Sequence, residues 1–318
     1  MDTKILKANP DGFAIASEIL KSGGLVAFPT ETVYGLGADA FNTKAVAKIY
    51  SAKKRPNFNP LIVHVIDLET AQKFVYLDAD ALLLANNFWP GPLTIVAPIR
   101  AGSNLSELIT AGLDTIAIRV PAHPVARKLL EIFNGPVAAP SANPSGSISP
   151  TNASHVKNGL NGRIHAILNG GKCNVGLEST IILSQNGECH LLRSGGIPEK
   201  NIEEILGYKL LSNKHPISPI SPGQLSSHYA PNAKLRMNAQ SASEDEYMIG
   251  FGHIIGQLNL SSKGDLTEAA SNLFSYLHMA DEDTLTLGKT KIAIAPIPMN
   301  GLGIAINDRL KRASSPRD

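Results

Sequence analysis

The sequence predicts an α/β protein in two parts: a larger domain on a twisted, mixed sheet with flanking helices, then a smaller α/β domain. Three observations carry this expectation. From residue 10 to about 206, short apolar runs alternate with amphipathic segments. Several of those runs follow one another with no helical segment between them, which disfavours a purely parallel, doubly wound sheet. After a Pro- and Ser-rich stretch the pattern restarts. Length agrees, because the chain has 318 residues and single cores rarely grow past roughly 250 to 300. The expected boundaries are 1–207 for the first domain, 208–232 for a linker and 233–318 for the second domain.

Taken in order, "DGFAIASEILKSGG" reads as a helix stopped by glycine, and "GLVAFP" as the strand after it. Asn42 can cap a short helix with Val46, Ile49 and Tyr50 on one face, which places Lys53, Lys54 and Arg55 at its last turn. "LIVHVI", "LTIVAP" and "TIAIRVP" are strand candidates. "HPVARKLLEIF" is a helix that starts after His123 with Pro124 in its first turn. "PVAAP", "HAILNGG" and "STIILS" complete the strands. The linker "LSNKHPISPISPGQLSSHYAPNAK" is stiffened by its prolines and ends on His228 and Tyr229, which are costly to leave in water. Tyr229 is therefore either a packing anchor or part of a closure. In the second domain, "EYMIGFGHI" and "KIAIAPIP" are strands, and "GLGIAINDRLKRAS" closes the chain. Leu266, Ala269, Ala270, Leu273, Phe274 and Leu277 follow helical spacing behind a capping box of Asp265 and Glu268. Nothing in this second domain looks catalytic.

Composition excludes several functions. A formal net charge of +2 argues against a dedicated duplex binder, which carries a basic excess over a whole domain. No segment approaches the roughly 20 apolar residues of a membrane span, and the N-terminal stretch lacks a signal-peptide core, so a cytoplasmic protein is expected. Cys173 and Cys189 are too few for a disulfide framework and read as strand residues. Histidines are scattered without H-E-x-x-H, so no protein-held metal is expected; a metal travelling with a nucleotide would leave no such mark.

Familiar nucleotide motifs fail. "GLGADA" lacks the third glycine of G-x-G-x-x-G, "GKT" lacks the glycine that opens a P-loop, and no G-x-S-x-G occurs. A different set of short polar segments stands at strand ends. Thr30, Thr32 and Tyr34 follow a strand and precede a glycine-containing turn. Ser141 and Asn143 lie between prolines, Ser179 and Thr180 start a strand, and Arg193 precedes two glycines. With Lys53 and Arg55 they supply the cations and short donors that a polyphosphate requires. Arg119 is either a partner for a carboxylate or a structural ion pair, and His64 either a core histidine or a base. The basic turn also has a simpler account, since cations at a helix C-terminus are stabilised by about 0.3 to 1 kcal/mol each.

The ordered set "PTETVYGLG", "KKRPNFNPLIVHV", "GPLTIV", "IRVP", "APSAN", "ESTI" and "LLRSGG", followed by "SPGQLSSHYAP", strongly resembles the YrdC-type L-threonylcarbamoyladenylate synthases in their long, two-domain form. The resemblance spans essentially the whole chain. It implies a YrdC-like sheet, a Rossmann-like C-terminal domain, and formation of threonylcarbamoyl-AMP and pyrophosphate from L-threonine, bicarbonate or CO2, and ATP with Mg2+. A separate transferase would then use the product to modify tRNA. By motif, the resemblance puts Lys53 and Arg55 at the triphosphate as the catalytic pair and Ser141, Asn143, Ser179 and Arg193 at the nucleotide. Thr30, Thr32, Tyr34, His64 and Arg119 fall on the threonine side, and His228 with Tyr229 is expected to close over bound substrate. Lys54 departs from the small residue many relatives carry between the two cations. Two other functions compete: an RNA-binding module that uses the basic cavity without adenylation, and an adenylating enzyme with a different amine acceptor.

Overall fold

The computed structural model describes residues 2–56, 58–185, 187–212 and 228–316; most of the expected linker lies outside them. The first domain begins with β1 (Lys4–Lys7), α1 (Pro10–Lys21), β2 (Val26–Pro29), β3 (Tyr34–Asp39), α2 (Thr43–Lys53) and β4 (Ile62–His64). It continues through α3 (Leu68–Gln72), α4 (Ala79–Phe88), β5 (Leu93–Pro98), β6 (Thr115–Arg119), α5 (Pro124–Phe133) and β7 (Val137–Ala138). It ends with α6 (Ala153–Leu160), β8 (Ala166–Asn169), β9 (Thr180–Gln185), β10 (Glu188–Arg193), α7 (Glu199–Leu206) and β11 (Leu211–Ser212). The second domain holds β12 (Lys234–Arg236), β13 (Glu246–Gly250), β14 (Leu258–Asn259), α8 (Leu266–Thr286), β15 (Lys291–Ile294) and α9 (Leu302–Ser314).

The expected mixed sheet is present. Its strands run β1-β8-β2-β3-β7-β4-β6-β5-β9-β10-β11. β4 pairs parallel with β6 and antiparallel with β7, and β5 pairs antiparallel with β6 and parallel with β9. Both faces are covered, so β2 reads as a continuous apolar run: Ala27 joins one core and Val26 with Phe28 another. The second sheet, β12-β15-β13-β14, is parallel throughout. Its core does not stop at the domain boundary, because Val33, Ile148, Leu177 and Tyr229 cluster with Leu273 and Phe274.

Three elements differ from expectation. The segment after Val33, read as a glycine turn, is strand β3, antiparallel to β2 with Tyr34 opposite Pro29. Its glycines serve close packing: a Cβ on Gly37 would lie 2.8 Å from Phe28 Cε1 and 2.9 Å from Val137 Cγ1. Cys173 lies in the irregular segment after β8, whereas Cys189 is in β10 as expected; both are buried thiols. At α8 only half of the capping box forms. Asp265 accepts from the Glu268 N–H at 2.8 Å, but the Glu268 carboxylate accepts from Ser261 Oγ, whose oxygen in turn takes the Asp265 N–H.

The caps of α2 and α5 follow the sequence. Asn42 accepts from the Ala45 N–H, and His123 Nδ1 accepts from the Val125 N–H. Across the domain boundary, His155 of α6 stacks on His278 of α8 with ring centroids 3.9 Å apart. Burial, with the neighbouring imidazole second, pushes His155 down to about 3; burial pushes His278 down to about 4. The unfolded chain therefore takes up protons near pH 6.5 that the folded chain refuses, and stability falls as pH drops from 6.5 towards 4. His278→Gln is expected to flatten the melting temperature's dependence on pH across that window; an unchanged slope would show that the stacked pair does not sense protons.

Candidate active site

The polar segments singled out in the sequence converge on one buried cavity at the ends of β2, β4, β6 and β10. Thr30, Thr32, Arg55, His64, Arg119, Ser141, Ser179, Arg193, His228 and Tyr229 all line it. Tyr34, Lys53 and Asn143 are not among the lining residues. The cavity volume is about 50 Å³, far below the roughly 300 to 1,000 Å³ of a small-molecule site. His228 and Tyr229 are buried against it as a closed strap. Ala230 bonds back to Gly146 O at 2.9 Å, and Tyr229 packs on Phe274 of α8 with centroids 5.4 Å apart.

The basic turn divides its labour. Lys54 takes the left-handed C-cap of α2 and points to solvent. That turn separates its neighbours. Lys53 is buried and donates from Nζ to the carbonyls of Ser141 and Asn143 at 2.5 and 2.6 Å, so it pins the "PSANP" loop. Arg55 faces the cavity, and its Nε and Nη2 donate to Asn59 O and Pro60 O at 3.2 and 2.9 Å. Burial lowers the Lys53 ammonium well below its ordinary value, with Arg55 adding repulsion. Arg55 is pushed down to about 10, by burial first and with a contribution from Arg193. Two guanidiniums on one cavity wall, one lowered by the other, concentrate positive charge there.

Arg193 comes from the end of β10, where it donates to Ser179 O through Nε at 3.1 Å and to Ser179 Oγ through Nη2 at 3.1 Å. Gly195 permits this approach, since a Cβ there would sit 2.4 Å from the Ser179 carbonyl carbon. The Ser179 hydroxyl also pairs with Thr94 Oγ1 at 2.7 Å. Asn143 donates to Pro144 O and Ser147 O, while its Oδ1 has no partner among the described residues.

On the opposite wall Arg119 forms an ion pair with Glu31 while it lines the cavity. Its Nη1 donates to Thr32 Oγ1 at 2.9 Å. Thr30 donates its only hydroxyl proton to Val33 O at 2.7 Å, so Thr32 is the donor in the 2.7 Å contact between the two threonines. Glu31 also takes the Ala122 N–H at 2.9 Å; burial opposes its charge, but Arg119 outweighs burial and keeps its pKa below the usual carboxylate range. Tyr34 sits behind this wall, its hydroxyl donating to Gly171 O at 2.8 Å.

His64 is buried and held neutral: burial, then Arg119, pushes it down to about 3. His228 is pushed well below its ordinary value by burial, then by Lys53, Arg55 and Arg193. Neither suits a general base. The Nδ1 atoms of both, and both side-chain polar atoms of Asn59, are buried without partners among the described residues. Such orphans are rare in folded proteins, and the two imidazole nitrogens belong to residues that line the cavity, whereas Asn59 is not among them.

The family model Sua5_yciO_yrdC, described as Telomere recombination, matches residues 18–195. The model Sua5_C, described as Threonylcarbamoyl-AMP synthase, C-terminal domain, matches residues 197–315. The chain belongs to the Sua5/YciO/YrdC family. Within it, a Bacillus subtilis protein named threonylcarbamoyl-AMP synthase is 40% identical over 99% of this chain and 96% of its own. A Pyrococcus abyssi protein of the same name is 38% identical over 95% and 94%. The crystal structure of P. abyssi Sua5 complexed with L-threonine superposes with a TM-score of 0.88 at 35% identity, covering 99% of this chain and 98% of that one. Escherichia coli YciO shares only the fold, with a TM-score of 0.55 at 23% identity over 61% of this chain and 96% of that one.

Sequence reasoning missed four residues that line this cavity or bond to residues that do: Glu31, Thr94, Glu178 and Arg309. Glu178 lines the cavity and accepts from Ser149 Oγ at 2.6 Å and from Arg309 Nε at 3.0 Å. Burial opposes its charge, but Arg309 and Arg193 outweigh it and keep its pKa below the usual carboxylate range. One signal was available for Arg309. It continues the apolar stripe of Ile306, Leu310 and Ala313 on α9, where a charge needs a buried partner.

Proposed function

We propose that this chain is an L-threonylcarbamoyl-AMP synthase, a nucleotidyltransferase that makes threonylcarbamoyl-AMP and pyrophosphate from L-threonine, bicarbonate or CO2, and ATP. The observation that carries the proposal is the convergence of Arg55 and Arg193 on one cavity with the imidazole nitrogens of His64 and His228 that are unpartnered among the described residues, opposite a wall of Thr30, Thr32 and Arg119. Its support from relatives is the activity for which they are named and the threonine bound to one of them. The product would pass to a separate transferase that modifies tRNA.

In this reading the threonine amine loses a proton as its nitrogen bonds to CO2, and a carbamate oxygen then attacks the α-phosphate. The bond from that phosphorus to the bridging oxygen breaks, and pyrophosphate leaves. Carbamate and triphosphate repel one another, so the protein's contribution is to hold both and offset their charge. Arg55 and Arg193 do this at the phosphates, with Ser141 and Ser179 as neutral donors. Lys53 acts through the loop it pins. Arg119 and the hydroxyl chain of Thr32 and Thr30 orient the amino acid. No protein nucleophile is required.

Mg2+ enters with the nucleotide. Among the described residues no three His, Cys, Asp or Glu side chains gather to hold a metal, and Glu178 of the cavity lining and Glu31 beside Thr32 are each paired with an arginine. With the strap seated the cavity is too small for a nucleotide, so His228 and Tyr229 lift to admit it and return over it. RNA held directly would instead need cations along an open groove. Among the described residues no helix is long and apolar enough to cross a membrane.

The test is pyrophosphate release with ATP, Mg2+ and bicarbonate, in the presence of threonine, of serine, or of neither. Threonine-dependent release is expected. No release under any condition, together with salt-sensitive RNA binding, would overturn the reading.

A further inference from the structure

The second domain contributes a charge to the cavity from behind. Arg309 of α9 has a side chain that is 0% exposed, and its Nε reaches the Glu178 carboxylate of the first domain at 3.0 Å. Its Nη1 donates to Ser194 O at 2.6 Å and to Asp308 Oδ2 at 3.0 Å. Its guanidinium carbon lies 5.6 Å from the centroid of the Tyr229 ring, within reach of a cation–π contact. Glu178 is the carboxylate among the described lining residues, next in sequence to Ser179.

A carboxylate in that position is a liability for a site that takes a polyanion. It shares its cavity with Arg55 and Arg193, and it stays ionised in the folded protein, so protonation does not remove its charge. Ser149 and Arg309 each take one of its oxygens, which fixes the group against the wall and balances its charge. We propose that Arg309 is a positioning residue for nucleotide binding: it neutralises and holds back Glu178, and its guanidinium supports the closed Tyr229. The second domain is then part of the nucleotide site without any of its side chains touching nucleotide. This rests on the nucleotide reading above.

The experiment measures binding of a non-hydrolysable ATP analogue to the full chain for wild type, Arg309→Gln, Glu178→Gln and the double variant, with the melting temperature of each as a check on folding. Removing one partner of a buried charge pair leaves the other uncompensated. Arg309→Gln is accordingly expected to weaken the analogue at least about tenfold, corresponding to about 1.4 kcal/mol. The double variant is expected to recover most of that loss, because the repelling charge is gone. A purely structural role for Arg309 would not be rescued by removing Glu178. If Arg309→Gln does not fold, the equally uncharged Arg309→Met replaces it, and Glu178→Gln alone is expected to bind the analogue at least as tightly as wild type. Unchanged affinity in a folded Arg309 variant, or no rescue in the double variant, would overturn the proposal while leaving the nucleotide reading intact. A wild-type chain that binds no nucleotide would overturn both.

Discussion

Arg55→Ala is expected to lower threonine-dependent pyrophosphate release at least about a hundredfold, the usual loss when a preorganised charge or donor at a reacting group is removed. The variant should remain folded. Arg55 is a desolvated cation that Arg193 repels, and its bonds to the carbonyls of Asn59 and Pro60 bring only modest stability in return. Its melting temperature should therefore move little while ATP affinity collapses. Unchanged ATP affinity would show that Arg55 only shapes its own loop and would shift the phosphate site to Arg193.

Lys53→Met is expected to behave in the opposite way, losing stability as well as activity. Its ammonium is the shared partner of the Ser141 and Asn143 carbonyls, and the Ser145 N–H adds a 2.8 Å bond from the same loop to Lys53 O. A buried acceptor left unsatisfied costs about 1 to 3 kcal/mol. Relief from burying a desolvated charge offsets part of the loss of two, so the net change should be about 1 to 3 kcal/mol. In a domain of this size each of those kcal/mol lowers the melting temperature by about 2 to 4 °C. Turnover should fall as well, because Ser141 would lose its place on the cavity wall. A Lys53→Met protein that melts like wild type but binds no ATP would mean that the ammonium turns to the phosphates when nucleotide enters. The two variants thus separate cations that adjoin in sequence.

Local chemistry made much of this molecule legible. Strands such as Leu93–Pro98 and helices such as Pro124–Phe133 announce themselves because apolar periodicity and capping residues act over a few positions. The glycines of β3 misled, since a glycine that turns the chain and one that clears room for Phe28 look alike in sequence. The site was legible as a set of donors and cations at strand ends, and most of them do converge on one cavity.

What each charge does there was settled elsewhere. The sequence by itself determined the two α/β units, the polar segments and the inventory of cations. Only the tertiary structure decided that Lys53 pins a loop 88 residues away, that Arg119 on the cavity wall pairs with Glu31, and that Arg309 of the second domain pairs with Glu178 of the first. The physical reason is range. Caps and amphipathic stripes are satisfied within a turn or two, whereas a buried charge must find its partner wherever the fold brings one, and no local pattern encodes that meeting.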